Sequence, residues 1–192
     1  MLNNKKKITL DEAFEQYHLA LQYKSHGAYG RSIKILEETT QILYASSIEN
    51  FDERHLIFML QDELGEIYNI LGNNREALNF FKKSILNISL LLKQEHQNIK
   101  LQEHQALRLL HIGIIYQNLN QLNNAIPYLK NAIITYERFI HLIKEKDRTI
   151  LSMKRQIDKI KILLESASPN HRRINKVTIG LKNIHEYRQK GV

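Results

Sequence analysis

Cysteine is absent from this chain of 192 residues. Its absence excludes a disulfide framework and any chemistry that needs a thiolate. Only two prolines and seven glycines occur, and segments of alternating β-branched residues are few, which favours an all-α fold. Uninterrupted apolar stretches are at most a handful of residues long. That length is far short of a membrane span.

Catalytic signatures are missing as well. The sequence contains no phosphate-binding G-x-x-x-x-G-K-[ST] loop, no G-x-G-x-x-G fingerprint, no H-E-x-x-H zinc motif and no G-x-S-x-G elbow. His104 and His111 lie on one predicted helix about 10 Å apart along its axis, too far to share a zinc ion. We therefore expect no enzymatic activity, no cofactor and no metal site.

The beginning of the chain carries charge rather than an apolar core. Residues 1–9 form a basic segment, and Asp11 and Glu12 follow before any apolar run. A secretory signal needs an apolar segment in this place. We expect a soluble, cytoplasmic protein that does not associate with membranes. Thr9 and Glu12 have the spacing of a capping box, so the first helix is predicted to begin near Leu10.

One pattern of small residues and tyrosine recurs three times along the chain. The copies are Ala20–Tyr23–Ser32, Gly65–Tyr68–Ala77 and Gly113–Tyr116–Ala125. A large apolar residue follows four positions later in each copy, and another small residue three positions after that: Leu36 and Thr39, Phe81 and Ser84, Leu129 and Ala132. Helical periodicity places these residues on the facing sides of two consecutive helices. Each copy therefore predicts a helix–turn–helix hairpin, with small residues facing each other at the closest approach.

Three stretches carry a resemblance to a known family. They are LGEIYNILGNNREALNFFKKSI (64–85), HIGIIYQNLNQLNNAIPYLKNAI (111–133) and the more degenerate LALQYKSHGAYGRSIKILEET (19–39). This pattern resembles the tetratricopeptide repeat. The resemblance covers about residues 10–147, with repeats near 13–46, 58–91 and 106–139. It implies an all-α fold in which helical hairpins stack into a right-handed superhelix.

The distance between repeats departs from the family's usual period of about 34 residues. Ala20 and Gly65 are 45 residues apart, and Gly65 and Gly113 are 48 apart. The additional residues contain no proline, so they predict longer helices. In this respect the chain is more similar to the long-repeat branch, which includes kinesin light chains, Pins-type polarity adaptors and bacterial peptide-sensing receptors.

Residues 148–192 lack the repeat signature and predict a C-terminal helical cap. Apolar residues recur at helical spacing in two runs: Ile150, Met153, Ile157, Ile160 and Leu164, then Ile174, Val177, Leu181 and Ile184. Stacked repeats leave an apolar face open at the end of the array, and atypical terminal units close it. A homodimer formed through residues 150–164 is the alternative.

Positive charge is concentrated in the same C-terminal part of the chain. Residues 1–140 carry 15 basic and 15 acidic side chains, whereas residues 141–192 carry 13 basic and 5 acidic ones. The basic residues there could contact an anionic surface such as nucleic acid, or simply form a solvated helical face. The candidates for an anionic contact are Lys154, Arg155, Lys159, Arg172 and Arg173.

The resemblance also implies a binding surface, because the first helix of each hairpin lines the concave face in this family. The corresponding residues are Phe14, Tyr17, Leu21 and Lys24, then Met59, Asp62, Glu66 and Asn69, then Leu107, Leu110, Ile114 and Gln117. Asp62 and Glu66 could hold a basic ligand side chain, and the amides of Asn69 and Gln117 could pair with a peptide backbone. The apolar members could equally be buried by neighbouring helices.

The function predicted from these residues is that of a non-enzymatic adaptor or scaffold. A peptide or helix of a partner protein would bind in the concave groove, which is a recurring mode of recognition. The alternative is a nucleic-acid-associated or regulatory protein that uses the basic C-terminal helices.

Overall fold

The computed structural model describes residues 8–46, 50–140 and 148–167. Within these ranges the chain forms seven α-helices and no strand: α1 (Leu10–Ser25), α2 (Tyr29–Ala45), α3 (Phe51–Ile70), α4 (Asn74–Gln94), α5 (Ile99–Asn118), α6 (Leu122–Ile140) and α7 (Arg148–Ala167). The prediction of an all-α fold is confirmed. Most of the N-terminal basic segment, and the second apolar run of the C-terminal cap with Arg172 and Arg173, lie outside the described residues.

Side-chain caps fix where several helices begin. Thr9 accepts a hydrogen bond from the backbone N–H of Glu12, and the Glu12 carboxylate accepts one from the backbone N–H of Thr9. The predicted capping box is therefore confirmed. The side chains of Asn50, Asn73 and Asn98 cap α3, α4 and α5 in the same way, each accepting from a backbone N–H three residues later. Such caps satisfy backbone donors that have no partner within the helix.

A left-handed residue closes the first helix of every hairpin. Gly27 and Gly72 have φ angles of 73° and 74°, and Asn120 has a φ of 57°. Glycine adopts this conformation without steric cost, and asparagine tolerates it better than most residues. The turn that each repeat needs is therefore encoded at one position. The predicted helix–turn–helix unit follows from it.

The helices pack in the order in which they occur along the chain. The closest pairs are α1 with α2, α3 with α4, and α5 with α6, and these are the three hairpins. Each hairpin then packs on the next through α2 with α3 and α4 with α5. This arrangement is a stack of helical hairpins, as predicted. The right-handed superhelix stays a prediction.

The glycines of the second and third repeats leave room for a large side chain of the neighbouring helix. A Cβ atom built on Gly65 would lie 2.5 Å from the Phe81 ring, and one on Gly113 would lie 2.5 Å from the Leu129 side chain. In the first hairpin the small residues meet directly, where Ser32 Oγ donates to the Ala20 carbonyl at 2.8 Å. The large apolar residue of the second helix thus packs directly on the backbone of the first helix.

The repeated tyrosine connects neighbouring hairpins as well as filling its own. Tyr68 stacks on Phe80 with ring centroids 5.6 Å apart, and its hydroxyl donates to Glu37 in the preceding hairpin at 3.1 Å. The Tyr116 hydroxyl accepts a hydrogen bond from Lys82 of the preceding hairpin at 2.8 Å. Tyr68 and Tyr116 therefore help to fix the position of one hairpin on the next.

Helix α7 packs on α6 and takes the place of the first helix of a further hairpin. Buried residues of α3, α5 and α7 recur at intervals of 48 positions. The two series are Leu64, Ile112 and Ile160, and Ile67, Ile115 and Leu163. At the position of Gly65 and Gly113, however, α7 has the exposed Lys161. Helix α7 thus keeps the face that packs backward on the stack and loses the small residue that admits a partner helix.

Candidate functional site

A cleft with a volume of ≈ 200 Å³ opens on the face formed by the first helices of the three hairpins. Its lining residues come from α1, α3 and α5 and the residue that caps α5: Tyr17, His55, Phe58, Met59, Asp62, Glu63, Asn98, Lys100, Leu101 and His104. Since three different hairpins meet here, the stacking of the repeats itself forms the cleft.

Aromatic rings form one wall of this cleft. Phe58 is buried, and the rings of His55 and His104 meet it edge-on with centroids 5.1 and 5.3 Å away. Edge-to-face pairs of this kind add to the stability obtained from burial alone. Tyr17 and Leu101 are buried beside the same space, and Met59 is half-buried. The cleft therefore offers an apolar surface held in fixed positions.

A network of ion pairs lies beside the aromatic wall and joins the three hairpins. Lys24 Nζ lies 2.5 Å from Glu63 Oε2 and 2.7 Å from Glu66 Oε2. Arg108 pairs with Asp62 through its Nε atom and with Glu66 Oε1 through Nη2 at 2.9 Å. The two cations come from α1 and α5, and the three carboxylates come from α3 between them. Buried carboxylates need such partners to remain charged.

Further hydrogen bonds orient the members of this network. Ser84 Oγ donates to Asp62 Oδ1 at 3.2 Å, and His104 Nδ1 lies 4.0 Å from Asp62 Oδ2. Arg108 Nη1 lies 2.9 Å from His111 Nδ1. Because arginine can only donate, Nδ1 of His111 accepts this bond and its proton resides on Nε2.

The network shifts the pKa values of two of its members. Burial by itself lowers the pKa of Lys24, but the Glu63 and Glu66 carboxylates and their hydrogen bonds raise it above its ordinary value. Burial raises the pKa of Glu63, and the nearby Glu66 carboxylate raises it further, while Lys24 opposes both. The surroundings of Glu63 therefore favour its protonated form more than water does.

Replacing Glu63 with glutamine should change how stability depends on pH. Because the pKa of Glu63 in the folded chain lies above its ordinary value of 4.5, its contribution to stability is present below that value and is lost as pH rises through the raised pKa. The free energy of unfolding of Glu63→Gln, relative to the unsubstituted chain, should therefore increase from pH 4.5 toward neutrality. Urea unfolding at several pH values measures it.

The matched control for this change is Glu38→Gln, which removes a carboxylate at an exposed position of α2. It accounts for the effect of net charge on the pH dependence. A relative stability of Glu63→Gln that stays flat or falls as the pH rises would contradict a raised pKa of Glu63 in the folded chain.

The structure brings part of the predicted binding surface together at the cleft. Tyr17, Met59 and Asp62 line it, and Lys24 and Glu66 belong to the adjoining ion pairs. These five residues were predicted as ligand-facing positions of the first and second repeats. They now define one continuous region on α1 and α3.

The other predicted positions lie away from the cleft lining. Leu110 and Ile114 are 2% and 6% exposed and belong to a core cluster with Leu129 and Ile160. Phe14 and Leu21 are half-buried against the core formed by α1, α2 and α3. The remaining members are also half-buried: Asn69, Leu107 and Gln117. The apolar floor predicted in the third repeat is thus occupied by the chain's own side chains.

Several residues of the site were not predicted from the sequence. Glu63, Phe58, His104 and Arg108 all contribute to the cleft or its ion pairs. A signal for one of them exists, because Arg108 interrupts an apolar run (ALRLLHIGII) at helical spacing. A buried cation in such a run needs carboxylate partners. Helix α3 supplies them as Asp62 and Glu66.

Helix α7 presents its charged residues to solvent and its apolar residues to the stack. Lys154, Arg155 and Lys159 are exposed, whereas Ile157 and Ile160 are buried in the same core cluster as Leu110. The described part of the apolar run proposed for a homodimer is therefore engaged within the chain. The side chains of Ile150 and Met153 lie outside the described residues.

Neither a metal centre nor a membrane span emerges from the part of the chain that the structure describes. No three His, Asp or Glu side chains there are grouped so that they could hold a metal ion. No helix among those residues combines the length and hydropathy that crossing a bilayer requires.

Comparison with known proteins adds one family match. A family model described as Tetratricopeptide repeat matches residues 108–134, which span about the second half of α5 and the first two thirds of α6. No curated protein matches the chain. The match falls on the third hairpin, where the Leu129 side chain packs directly on Gly113.

Proposed function

We propose that this chain, a protein of the tetratricopeptide-repeat type, is a non-enzymatic interaction module that binds a peptide segment of a partner protein in the cleft between α1, α3 and α5. The family match suggests protein–protein interaction as the general role. The observation that carries the peptide site is the cleft itself, which three successive hairpins build from aromatic, apolar and charged side chains. Binding sites commonly combine an apolar lining with a few polar groups that fix orientation.

The predicted long-repeat character fits this proposal. The first helices α3 and α5 each have 20 residues, so each spans about 30 Å. A surface of that length can hold an extended segment of several residues or two turns of a helix. The residues proposed to contact it are Tyr17, Met59, Asp62 and His104, with Asn69 and Gln117 farther along the same helices.

A capture experiment with matched variants tests the proposal. The full chain is used as bait in native lysate, with and without nuclease and at two salt concentrations. Met59→Glu places a carboxylate on the apolar lining, and Lys100→Glu changes an exposed residue of the same cleft. We expect each to lower the amount of captured partner at least about tenfold, a loss of about 1.4 kcal/mol. Circular dichroism verifies that both variants are folded.

The control is the double variant Lys154→Glu and Arg155→Glu, on exposed positions of α7. A partner that survives nuclease, is lost by the cleft variants and is retained by the control supports the proposal. A partner lost only in the α7 variant, or recovery of nucleic acid alone, supports the alternative in which the basic helix contacts an anionic partner. Retention by all variants contradicts a role for the cleft.

A further inference from the structure

A second groove, with a volume of ≈ 320 Å³, lies between α6 and α7 at the end of the described stack. Its lining residues are Glu137, Ile140, Lys154, Ile157, Asp158 and Lys161. Helix α5 has Ala106, Leu110 and Gly113 at the positions 48 residues before Lys154, Asp158 and Lys161. Ala106 and Leu110 share a core cluster with Leu129 of α6, and the Leu129 side chain packs directly on Gly113. The groove therefore corresponds to the surface that receives a second helix one repeat earlier.

The second helices of the three hairpins share four positions that face the stack. Counted from the small residue of the first helix, these positions lie 13, 16, 20 and 23 residues later. They hold Ile33, Leu36, Thr40 and Leu43 in α2, Leu78, Phe81, Ile85 and Ile88 in α4, and Ile126, Leu129, Ile133 and Tyr136 in α6. Each of these residues is buried or half-buried. The four positions thus mark the face by which a second helix packs.

The same four positions can be counted from Lys161, which stands where the second and third repeats have Gly65 and Gly113. They hold Ile174, Val177, Leu181 and Ile184. These four residues are the second apolar run of the C-terminal part of the chain. That run therefore has the register of a second helix relative to α7, in addition to helical spacing.

Two residues in this register are small enough to compensate for the bulk of Lys161. Val177 stands where Phe81 and Leu129 pack on glycine in the second and third hairpins. Gly180 stands where the earlier copies have Thr39, Ser84 and Ala132. Each is the smallest residue at its position among the four copies. A lysine can lay its stem along such a contact and keep its head in water.

The basic residue at the position of the second small residue also has a partner in this register. Arg173 lies 12 positions after Lys161, where the earlier repeats have Ser32, Ala77 and Ala125. If the segment runs antiparallel to α7 with Val177 beside Lys161, then Arg173, one turn before Val177, faces Glu165, one turn after Lys161. Glu165 is exposed. The two charges have opposite sign, as this register requires.

We propose that residues 171–187 bind in the groove between α6 and α7 as the second helix of a fourth hairpin. The occupant of the groove is then a segment of this chain, which lies antiparallel to α7 with Val177 beside Lys161. The three residues between α7 and this segment are Ser168, Pro169 and Asn170, which favour a turn. This inference concerns a different surface from the cleft and does not rest on the proposed function.

Cross-linking of the full chain tests the contact. Because the sequence has no cysteine, a pair of introduced cysteines reports on one contact alone. Lys161→Cys with Val177→Cys is treated with a short bismaleimide at two protein concentrations, and a denaturing gel separates the products. We expect an internal cross-link, formed at least about tenfold faster than in the control pair Lys159→Cys with Val177→Cys. Lys159 is exposed on a different face of α7.

Hydrogen exchange of α7 gives a second readout in the full chain. Val177→Asp places a carboxylate at the proposed contact and should lower the protection of the Ile160 and Leu163 amides at least about tenfold. Asn175→Asp is the matched control, because it adds the same charge at a position that is exposed as Asn79 in α4 and as Pro127 in α6. It should leave the protection unchanged.

An internal cross-link between positions 161 and 177, together with a loss of protection in Val177→Asp alone, would support the proposal. Cross-linked dimers whose yield rises with protein concentration would show that a second copy fills the groove, and would overturn it. Equal cross-linking rates of the two cysteine pairs would overturn it as well. Equal protection of α7 in Val177→Asp and Asn175→Asp would also count against the proposed contact and overturn it.

Discussion

Replacing Arg108 with methionine should lower the free energy of unfolding by about 3–5 kcal/mol, because it leaves buried carboxylates without their cation. The Arg108 side chain is fully buried and pairs with Asp62 and Glu66. Its guanidinium also lies 5.3 Å from the centroid of the Phe81 ring. Methionine retains much of the volume, so the loss reports on charge rather than on a cavity. Urea unfolding at pH 7 measures it.

Two further variants identify the cause of this loss. Arg138→Met removes an arginine from an exposed position of α6, where substitutions usually change stability by less than about 0.5 kcal/mol. Combining Arg108→Met with Asp62→Asn removes one of the carboxylates that methionine strands, and should recover part of the stability. If Arg108→Met costs no more than Arg138→Met, the buried ion pairs do not stabilise the stack.

Gly65→Ala should lower the free energy of unfolding by about 1–3 kcal/mol through overpacking. The added methyl group would lie 2.5 and 2.6 Å from two atoms of the Phe81 ring. Phe81 is fully buried, and its ring also packs against His111 with centroids 5.4 Å apart. The ring is therefore enclosed and has Gly65 on one side and His111 on another. Thermal and urea unfolding both measure the effect.

The sign of this effect separates packing from helix propensity. Alanine is favoured over glycine within a helix by about 1 kcal/mol, so propensity alone predicts stabilisation. Gly30→Ala in α2 is the matched control, because a Cβ atom there meets nothing within 4 Å. Adding Phe81→Leu to the Gly65→Ala chain should reduce the clash with the new methyl group. Phe81→Leu should therefore lower the free energy of unfolding less in the Gly65→Ala chain than in the unsubstituted chain. Equal stability of Gly65→Ala and Gly30→Ala would contradict the close contact.

The helices and their pairing could be predicted because the signals are local. Thr9 and Glu12 mark the beginning of α1, and Gly27 closes it within a few residues. The recurrence of Gly65 and Gly113 then indicates which helices form hairpins. These patterns involve neighbours in sequence or on one helical face, so they need no knowledge of the tertiary structure.

The ion-pair network could not be predicted in the same way, because its partners are distant in sequence. Lys24 and Glu66 are 42 residues apart, and so are Glu66 and Arg108. The register of one hairpin on the next decides whether such side chains meet. The burial of Leu110 has a similar explanation. The family resemblance implied a ligand-facing position for it, but did not show that the chain's own side chains fill the space beside it.

The buried ion pairs also have a consequence for how the molecule unfolds. Arrays of stacked repeats can lose their terminal units one at a time, since each unit contacts only its neighbours. Here the loss of α1 would remove Lys24 from two carboxylates of α3, and the loss of α5 would remove Arg108 from the same helix. Each partial opening breaks ion pairs that join α3 to a neighbouring hairpin. The ion pairs of α3 therefore make unfolding of the three hairpins more cooperative than apolar contacts alone would make it.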